Sequence, residues 1–423
     1  MRTLCHDLST TVPGTEVVLE GWVHRRRELS RVTFLVLRDR SGLAQAVLPA
    51  GTPVPPEETT VRVTGTATAN AQAPGGVEVT DAVVEQLTEP AITPPLELWR
   101  PSLDASLPPL LDHAPVLWRQ PAQRARWELA TASLRGFRAT LDGLGFTEVA
   151  TPKIVGTATE SGSSVFEVDW FGRPAYLAQS PQFYKQQLVG VFERVYEVGP
   201  VFRAEPHDTV RHLAEYRSLD VELGFIRDHR DVLAVLREVL AGMVSAVGGE
   251  GKSVERAGAR LPVVPDEIPV IHFADEPDLA PEHERALGAW ALAEHGSDLL
   301  AVEGYPMAKR PFYTHSWSRD GAGAPPRPPG PSGWSNSFDL LFRGMELVTG
   351  GQRLHRASAY DVAIRTRGED PAAYESYLQA FRHGMPPHGG FAIGLERWVG
   401  RLVEAANVRE VTLFPRDLHR LTP

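Results

Sequence analysis

The spacing of hydrophobic residues changes near residue 90, and this change limits the folds that the chain can adopt. Beyond residue 120, longer helical patterns alternate with strands. Before residue 90, short runs rich in valine, leucine and threonine are separated by turn residues. These runs predict five strands: Glu16–Val23, Val32–Leu37, Leu43–Leu48, Thr60–Thr66 and Val77–Val84. The sequence therefore predicts an α+β protein that begins with a small closed barrel.

A proline-rich stretch separates the two patterns. It contains Pro90, Pro94, Pro95, Pro101, Pro108 and Pro109. We predict a barrel of the oligonucleotide-binding (OB) kind over residues 1–88, a hinge over 89–119 and a larger domain over 120–423. In the larger domain, Ala125–Leu144 is predicted to be an amphipathic helix. Ser316–Asn336, rich in Pro, Gly and Ser, is predicted to be a mobile surface insertion without a catalytic role.

Composition limits the classes of protein to which the chain can belong. A net charge of -10 argues against a protein that coats nucleic acid without selectivity. Six arginines nevertheless cluster between Gly21 and Gly42, which indicates either a local RNA contact or a solvated charged face. With Cys5 as its one cysteine, the chain can form neither an internal disulfide nor a cysteine metal cage. The N-terminus lacks the apolar core of a signal peptide, and no apolar run can span a bilayer, so we expect a cytoplasmic protein without a membrane partner.

Two predicted strands joined by a basic loop form the first candidate site. The strand Arg194–Val198 leads into Val201–Glu205, and the loop carries Arg211 before the second strand, Ser218–Phe225. In this hairpin, Arg203 can offer a planar fork of donors to a phosphate, and Tyr216 can stack on a flat heterocycle. An ordinary hairpin with a surface salt bridge explains either residue equally well.

Three further segments carry weaker signals. In Phe391–Trp398 a glycine-containing strand runs into a helix near Gly394, which places Arg397 in the first helical turn, able to face a terminal phosphate. In Glu346–Arg353, the oxygens of Glu346 and Thr349 are of the type that Mg²⁺ prefers, although a tight turn between buried strands is the alternative. Pro152 ends a strand that follows the Ala125–Leu144 helix.

These segments occur in the order, and at roughly the spacing, of the three signature motifs of class II aminoacyl-tRNA synthetases. With its N-terminal OB-fold barrel, the chain resembles the subgroup for aspartate, asparagine and lysine, and specifically the compact archaeal type of aspartyl-tRNA synthetase. The resemblance covers nearly the whole chain. It implies an antiparallel sheet flanked by helices and a homodimer in which Ala125–Pro152 packs against its twofold mate.

The resemblance also implies a reaction in two steps. The aspartate carboxylate attacks the α-phosphate of ATP to give aspartyl-adenylate and pyrophosphate, and a terminal ribose hydroxyl of tRNA then attacks the activated carbonyl. Neither step needs a protein nucleophile, so Arg203, Arg397 and Glu346 are expected to act by positioning and charge stabilisation. Glu346 and Thr349 are expected to hold Mg²⁺. The ATP-binding set implied by position is Arg203, Ala204, Glu205, Arg211, His212, Leu213, Tyr216, Glu346, Gly394, Leu395, Glu396 and Arg397.

The amino-acid pocket implied by the resemblance favours aspartate. Lys185 and Arg353 match the two cations that hold the aspartate side chain, and they would place a positive charge against the NH₂ group of asparagine. The alternative for Lys185 is a solvated lysine on a helix. Asp220 is expected to hold these cations, and Glu160 to pair with the α-amino group. The full predicted set is Glu160, Gln182, Lys185, Arg203, Asp220, Thr349 and Arg353.

The barrel is expected to read the anticodon, because single-stranded bases are recognised by aromatic stacking and edge contacts. Phe34 and Gln45 match the family residues that contact the central uracil, and Arg26 lies in the arginine run expected to touch RNA; barrel core is the alternative for Phe34. His24 and Pro74 resemble the residues of non-discriminating enzymes, which charge both tRNA(Asp) and tRNA(Asn) with aspartate.

Other functions fit the same sequence less well. Discriminating aspartyl-tRNA synthetases tend to have tryptophan where this chain has His24 and lysine where it has Pro74. Asparaginyl-tRNA synthetases usually lack the lysine found here at position 185. A synthetase-like enzyme that makes asparagine without tRNA would lack the barrel, and a non-catalytic paralogue would not be expected to keep the motif arginines Arg203 and Arg397.

Overall fold

The computed structural model describes residues 2–156, 164–206, 208–273, 280–317 and 333–423. The chain divides into two compact units, Met1–Pro121 and Ala122–Pro423. The stretch predicted to be a hinge, residues 89–119, falls within the first unit and contains helices α1 (Leu107–Asp112) and α2 (Ala114–Leu117). Its role as a hinge stays a prediction.

The first unit contains a closed five-stranded barrel, which confirms the predicted OB-type barrel. Its strands are β1 (Glu16–Glu28), β2 (Val32–Arg38), β3 (Leu43–Pro49), β4 (Thr60–Ala69) and β5 (Val77–Gln86). They close in the order β1-β2-β3-β5-β4, with β3 and β5 parallel and the other neighbours antiparallel. The barrel core is apolar and includes Leu19, Leu35, Leu37 and Val63, since alternate residues of each strand point inward.

The second unit is an α+β domain, as predicted. Its strands are β6 (Thr147–Glu148), β7 (Ile154–Val155), β8 (Glu167–Trp170), β9 (Arg173–Leu177), β10 (Arg194–Phe202), β11 (Glu215–Gly224), β12 (Val270–His272), β13 (Leu299–Glu303), β14 (Ser337–Phe342), β15 (Glu346–Gln352) and β16 (His388–Gly394). Its helices are α3 (Pro121–Gly143), α4 (Gln182–Phe192), α5 (His229–Gly248), α6 (Gly251–Ala257), α7 (Pro281–His295), α8 (Ala357–Thr366), α9 (Glu375–Arg382) and α10 (Leu395–Leu402). Short 3₁₀ turns lie at Asp7–Thr10 and Pro74–Gly76 in the first unit, and at Met307–Lys309, Pro371–Tyr374 and Val408–Val411 in the second.

Eight of these strands form one sheet in the order β12-β13-β14-β15-β16-β11-β10-β6. Neighbours from β13 to β10 are antiparallel, as predicted, whereas the outer pairs β12·β13 and β10·β6 are parallel. A separate three-stranded sheet has the order β7-β9-β8. The main core contains Leu129 and Phe137 of α3, Leu236 of α5 and Trp398 of α10, so these helices contribute to one apolar cluster with the sheet.

Strand β11 shows how the sequence separates the two faces of the sheet. Its apolar residues Leu219 and Val221 belong to the main core. Because side chains alternate along a strand, the intervening polar residues Ser218, Asp220 and Glu222 lie on the opposite face, where they are nevertheless buried. This second face is polar, and it carries the candidate site.

The predicted insertion Ser316–Asn336 is described only at its two ends. Ser316 pairs with Ser335 in an isolated bridge, and Ser335 is fully buried. Ser316 is exposed, as predicted for a surface segment, whereas Ser335 and Asn336 at the other end are buried. Residues 318–332 lie outside the described residues. Among the described helices, none alone is long and apolar enough to span a membrane; α5 and α6 together reach that length and composition, with a bend of 89° between them.

Candidate active site

Small residues form the floor of the polar sheet face. One row of register partners crosses four neighbouring strands. Asp339 of β14 is opposite Thr349 of β15, Thr349 is opposite Ala392 of β16, and Ala392 is opposite Asp220 of β11. Register partners lie on the same face of a sheet, so this row places two carboxylates at its ends and a threonine and an alanine between them. The short side chains in the middle leave room for a ligand.

A cleft of about 190 Å³ opens over this floor. It is lined by most of the residues predicted to bind ATP, namely Arg203, Glu205, Arg211, His212, Leu213, Tyr216, Glu346, Gly394, Glu396 and Arg397, and by the predicted metal ligand Thr349. Two members of the predicted set do not line it. The side chain of Leu395 is buried in the main core, because it lies on the inward face of α10. The backbone N–H of Ala204 donates to the carbonyl of Ser164, 3.1 Å away.

Arg203 and Tyr216 come together at the open end of the β10–β11 hairpin. Arg203 directly follows β10 and is exposed, and its guanidinium carbon lies 5.8 Å from the centroid of the Tyr216 ring. Burial raises the pKa of Tyr216, so the ring stays neutral. A cation and a flat ring at one edge of the cleft suit a ligand that has both a phosphate and a heterocycle.

Helix α10 positions Arg397, as predicted. Gly394 is its N-cap, and Arg397 lies in the first turn. The guanidinium Nη1 donates to the backbone carbonyl of Glu346 at 3.2 Å and lies 3.7 Å from the carboxylate Oε1 of the same residue. Arg211, in the loop between β10 and β11, pairs with Glu284 of α7 at 2.9 Å, a partner that no local sequence pattern indicates.

Glu346 is, with Glu396, one of two acids lining the cleft whose pKa is raised to about 7. Burial is the main cause and repulsion from the Asp339 carboxylate the second, and together they raise the pKa of Glu346 to about 7. Its side chain is 41% exposed, but that exposed part opens into the cleft. Asp339 itself pairs with Arg310 at 3.0 Å. Sequence reasoning missed Asp339, because its proximity to Glu346 depends on the pairing of β14 with β15.

These oxygen donors fit a divalent cation. Glu346 and Asp339 are carboxylates that repel each other, Thr349 adds a hydroxyl, and hard cations such as Mg²⁺ prefer oxygen ligands. Within the described parts of the chain, no group of three or more His, Cys, Asp or Glu residues is arranged to hold a metal. A cation here would therefore need further oxygens, such as those of a bound phosphate.

Lys185 and Arg353 lie close together in the interior, as predicted. The Nζ of Lys185 is 3.0 Å from Asp220 Oδ1 and 3.4 Å from Glu222 Oε2, and the Nε of Arg353 donates to Glu222 Oε1 at 3.1 Å. Lys185 is only 2% exposed, so the alternative of a solvated lysine is wrong. The predicted contact between Asp220 and these cations is confirmed for Lys185.

Glu222 is the residue of this cluster that sequence reasoning missed. It touches both cations, and although burial alone would raise its pKa, Arg353 and Lys185 hold that pKa below its usual value. The polar–apolar alternation of β11 was the one available signal, since it places Glu222 on the same face as Asp220. Gly390 makes room for it: a β-carbon at that position would lie 2.2 Å from Glu222 Oε2.

A buried hydrogen-bond network lies beside the cluster of Lys185, Asp220, Glu222 and Arg353. The Gln186 amide nitrogen bonds Tyr360 and His388, each at 3.0 Å, and the Gln186 carbonyl accepts from Tyr377 at 2.8 Å. Burial lowers the pKa of His388 to about 4, so its ring is neutral and accepts from Gln186 while Nδ1 donates to a backbone carbonyl. All four side chains of the network are thereby fixed in one arrangement.

The remaining predicted aspartate ligands are only partly located. Gln182 is the first residue of α4, one turn before Lys185, and is buried. Glu160 lies outside the described residues.

The barrel places the predicted anticodon residues in different environments. Phe34 is half-buried and belongs to the outer face of β2 rather than to the core, so the barrel-core alternative is wrong. Gln45 donates to Glu78 at 2.9 Å, and its carbonyl accepts from Arg27 at 3.4 Å. Pro74 is exposed at the start of a 3₁₀ turn.

His24 and Arg26 differ from what the sequence indicated. The register of β1 and β2 shifts at His24, which is buried and lies 3.2 Å from Arg38, itself in an ion pair with Glu58 at 2.8 Å. Burial lowers the pKa of His24 to about 4, so it is neutral and has little surface for direct contact with RNA. Arg38 likewise does not belong to a solvated basic patch. Arg26 is exposed, and its guanidinium donates to the carbonyl of Val54 at 3.2 Å.

Comparisons with known proteins agree with this geometry. Residues 110–418 match the family described as tRNA synthetases class II (D, K and N), and residues 17–86 match the OB-fold nucleic acid binding domain. An aspartate–tRNA(Asp/Asn) ligase of Thermus thermophilus is 46% identical, with 100% of both chains covered. An aspartate–tRNA(Asp) ligase of Pyrobaculum aerophilum is 35% identical, covering 99% of this chain and 98% of the relative. An asparaginyl-tRNA synthetase from Pyrococcus horikoshii, solved with asparaginyl-adenylate, superposes with a TM-score of 0.89 at 28% identity over 100% of both chains.

Proposed function

This chain belongs to the class II tRNA synthetases of the aspartate, lysine and asparagine group, and on that premise we propose that it uses ATP to attach aspartate to tRNA. The observation that carries the choice of aspartate is the buried cluster of Lys185 and Arg353. Ser218, a residue that lines the cleft, hydrogen-bonds Asp220 at 2.5 Å, and Asp220 in turn holds Lys185. The cationic cluster therefore borders the cleft.

In the first step, the protein positions two substrates. Lys185 and Arg353 hold the side-chain carboxylate of aspartate, which leaves its α-carboxylate directed toward the cleft. Arg203 binds that carboxylate and the α-phosphate of ATP, Tyr216 stacks on adenine, and Arg397 binds the γ-phosphate. The α-carboxylate oxygen then displaces pyrophosphate from the α-phosphorus. Fixed guanidinium groups stabilise the charge that develops on the phosphate oxygens.

The metal proposal concerns Glu346 and Thr349, with Asp339 beside them. A Mg²⁺ ion held there would neutralise phosphate charge. The mutual repulsion of Glu346 and Asp339 supports the proposal, because a cation between two carboxylates would relieve it.

Aspartate is favoured over asparagine for a physical reason. Lys185 and Arg353 are donors only, so a neutral amide would turn its NH₂ group toward one of them and lose a hydrogen bond. Asp220 and Glu222 form ion pairs with Lys185, and Glu222 also pairs with Arg353. An asparaginyl-tRNA synthetase is the second candidate, since the Pyrococcus horikoshii enzyme shares the fold.

The substrate is tested by ATP–pyrophosphate exchange with aspartate or asparagine. We expect exchange with aspartate and little with asparagine, and a loss of about 100-fold or more in kcat/KM for aspartate in Lys185→Met, because this change leaves Asp220 and Glu222 with one cation fewer. Lys252→Met is the control, since Lys252 is exposed and lies in α6, a helix that contributes no residue to the cluster. Exchange that depends on asparagine instead would reject the proposal.

We also propose that the chain charges both tRNA(Asp) and tRNA(Asn). His24 and Pro74 support this by their resemblance to the residues of non-discriminating enzymes, and of the two only Pro74 is exposed for direct contact with RNA. The Thermus thermophilus relative is named for both tRNAs, whereas the Pyrobaculum aerophilum relative is named for one. Aspartylation of the two purified tRNAs should proceed within about tenfold of each other, a difference of roughly 1.4 kcal/mol. Charging of tRNA(Asn) slowed by about 100-fold or more would show a discriminating enzyme.

The chain is further proposed to be a cytoplasmic homodimer. Large apolar side chains are exposed at the end of α4 and on the three-stranded sheet, including Val191, Phe192, Trp170 and Ile154. Exposed apolar side chains of this kind are covered in many symmetric dimers. Sedimentation equilibrium of the intact chain should give twice the monomer mass of 46.4 kDa.

A further inference from the structure

The outer face of the barrel brings together two rows of residues. In one row Arg25, Val36 and Gln45 are register partners, and in the next row Arg27 is the register partner of Phe34. Register partners share a face, so Arg25 and Arg27 lie on the side that carries the predicted anticodon residues, while Arg26, between them, points away. With strands about 4.8 Å apart, the backbones of Arg25 and Gln45 are roughly 10 Å from each other.

A tryptophan from outside the barrel strands covers Arg25. Trp99 follows the buried Leu98, and its ring centroid lies 3.7 Å from the guanidinium carbon of Arg25. The other ring–cation distances of the barrel strands are longer, at 5.2 Å for Arg27 over Phe34 and 5.8 Å for Arg38 over Trp22. Arg25 thus has the closest stack, and a ring face at this distance restricts the orientation of the guanidinium plane.

The stacked Arg25 keeps its hydrogen-bonding capacity. A guanidinium that stacks through its face still directs its N–H groups outward in its own plane. Within the described residues, no carboxylate forms an ion pair with Arg25. The other cation beside the ring, Arg100, is 5.0 Å from the Trp99 centroid and is already paired with Glu97. Arg25 is therefore the cation beside Trp99 whose N–H groups can bind an external anion.

We propose that Trp99 is a positioning residue for tRNA. It holds Arg25 beside the Phe34–Gln45 face so that the guanidinium binds a phosphate of the single-stranded loop read there. This proposal rests on the proposed function, because it takes the anion to be RNA. Phosphate contacts of this kind fix the register of a nucleic acid, while neighbouring aromatic and amide side chains read its bases.

The test is the tRNA dependence of aspartylation in ring variants. Trp99→Ala should raise the KM for tRNA(Asp) by about 3- to 30-fold with kcat little changed, the range expected for loss of one oriented cation. Trp99→Phe, which keeps a ring face, should restore most of the affinity. Trp290→Ala, in α7 of the other unit and 40% exposed, is the matched control and should change nothing.

A second variant separates orientation from folding. Arg25→Met keeps an apolar stem against Trp99 but removes the charge, so it should raise the KM for tRNA(Asp) over the same range. It should also reduce the slope of log binding affinity against log salt concentration by about one, the amount expected for one lost phosphate contact. If Trp99→Ala leaves the KM unchanged, or if it weakens tRNA binding while Arg25→Met does not, the proposal is overturned. ATP–pyrophosphate exchange uses no tRNA and so tests the proposed function separately. If the unmodified protein shows no exchange with aspartate, the proposed function is rejected. If exchange is present but Trp99→Ala leaves the KM for tRNA(Asp) unchanged, only the role of Trp99 is rejected.

Discussion

At the scale of single residues, the raised pKa of Glu346 predicts that binding of the proposed Mg²⁺ depends on pH. Its pKa is raised to about 7, so its carboxyl group is protonated below that pH and cannot bind a cation well. We expect the Mg²⁺ concentration for half-maximal exchange to rise by up to about tenfold per pH unit as the pH falls below about 7. In Asp339→Asn the repulsion is removed, so the Mg²⁺ requirement should begin to rise at a lower pH. If the requirement begins to rise at the same pH in both proteins, this expectation is wrong.

The same shift has a consequence for stability without metal. A carboxyl whose pKa is higher in the folded chain than in the unfolded chain stabilises the fold where it is protonated, and that contribution is lost as the pH rises toward about 7. Bound Mg²⁺ should therefore raise the melting temperature more above pH 7 than below it. A metal effect that is equal at both pH values would show that Glu346 is not a ligand.

At the scale of elements, the pairing of β11 with β16 depends on Gly390. A β-carbon there would lie 2.0 Å from the Val221 carbonyl oxygen and 2.2 Å from Glu222 Oε2. Gly390→Ala should therefore destabilise the protein by about 1–3 kcal/mol and raise the KM for aspartate, because Glu222 must move away from Lys185 and Arg353. Thermal unfolding and exchange kinetics measure the two effects.

Gly400 is the matched control for that substitution. It lies inside α10, and a β-carbon there would meet nothing closer than 3.8 Å, a side-chain atom of Val411. Because alanine is favoured over glycine in a helix interior by up to about 1 kcal/mol, Gly400→Ala should leave stability unchanged or slightly increased. If both substitutions cost the same, the close approach at Gly390 is not the cause.

At the scale of the whole molecule, the residues proposed to bind the two small substrates and those proposed to bind tRNA lie in different compact units. The residues proposed to bind ATP and aspartate lie in Ala122–Pro423, and those proposed to read the anticodon lie in Met1–Pro121. A chain of residues 120–423 should retain aspartate-dependent exchange within about tenfold and lose about 100-fold or more in kcat/KM for tRNA. Equal efficiency with tRNA would show that the barrel does not contribute to its binding.

The sequence alone predicted candidate residues for the chemistry and determined the elements that hold them. Arg203, Tyr216 and Arg397 could be found because each lies at a fixed distance along the chain from a strand end or helix start. The five barrel strands and the strand-to-helix step at Gly394 were predictable for the same reason, since hydrophobic periodicity and turn residues are local signals.

Only the tertiary structure decided which of these residues meet and which are buried. Glu222 and Arg353 are 131 residues apart in the chain and become neighbours through the pairing of distant strands. Asp339 and Thr349 meet within the β14–β15 hairpin, where the strand register makes them partners. The register shift that buries His24, and the helix rotation that buries Leu395, also follow from pairing and packing. Such contacts are set by register and burial, which depend on segments far apart in sequence and leave little local signal.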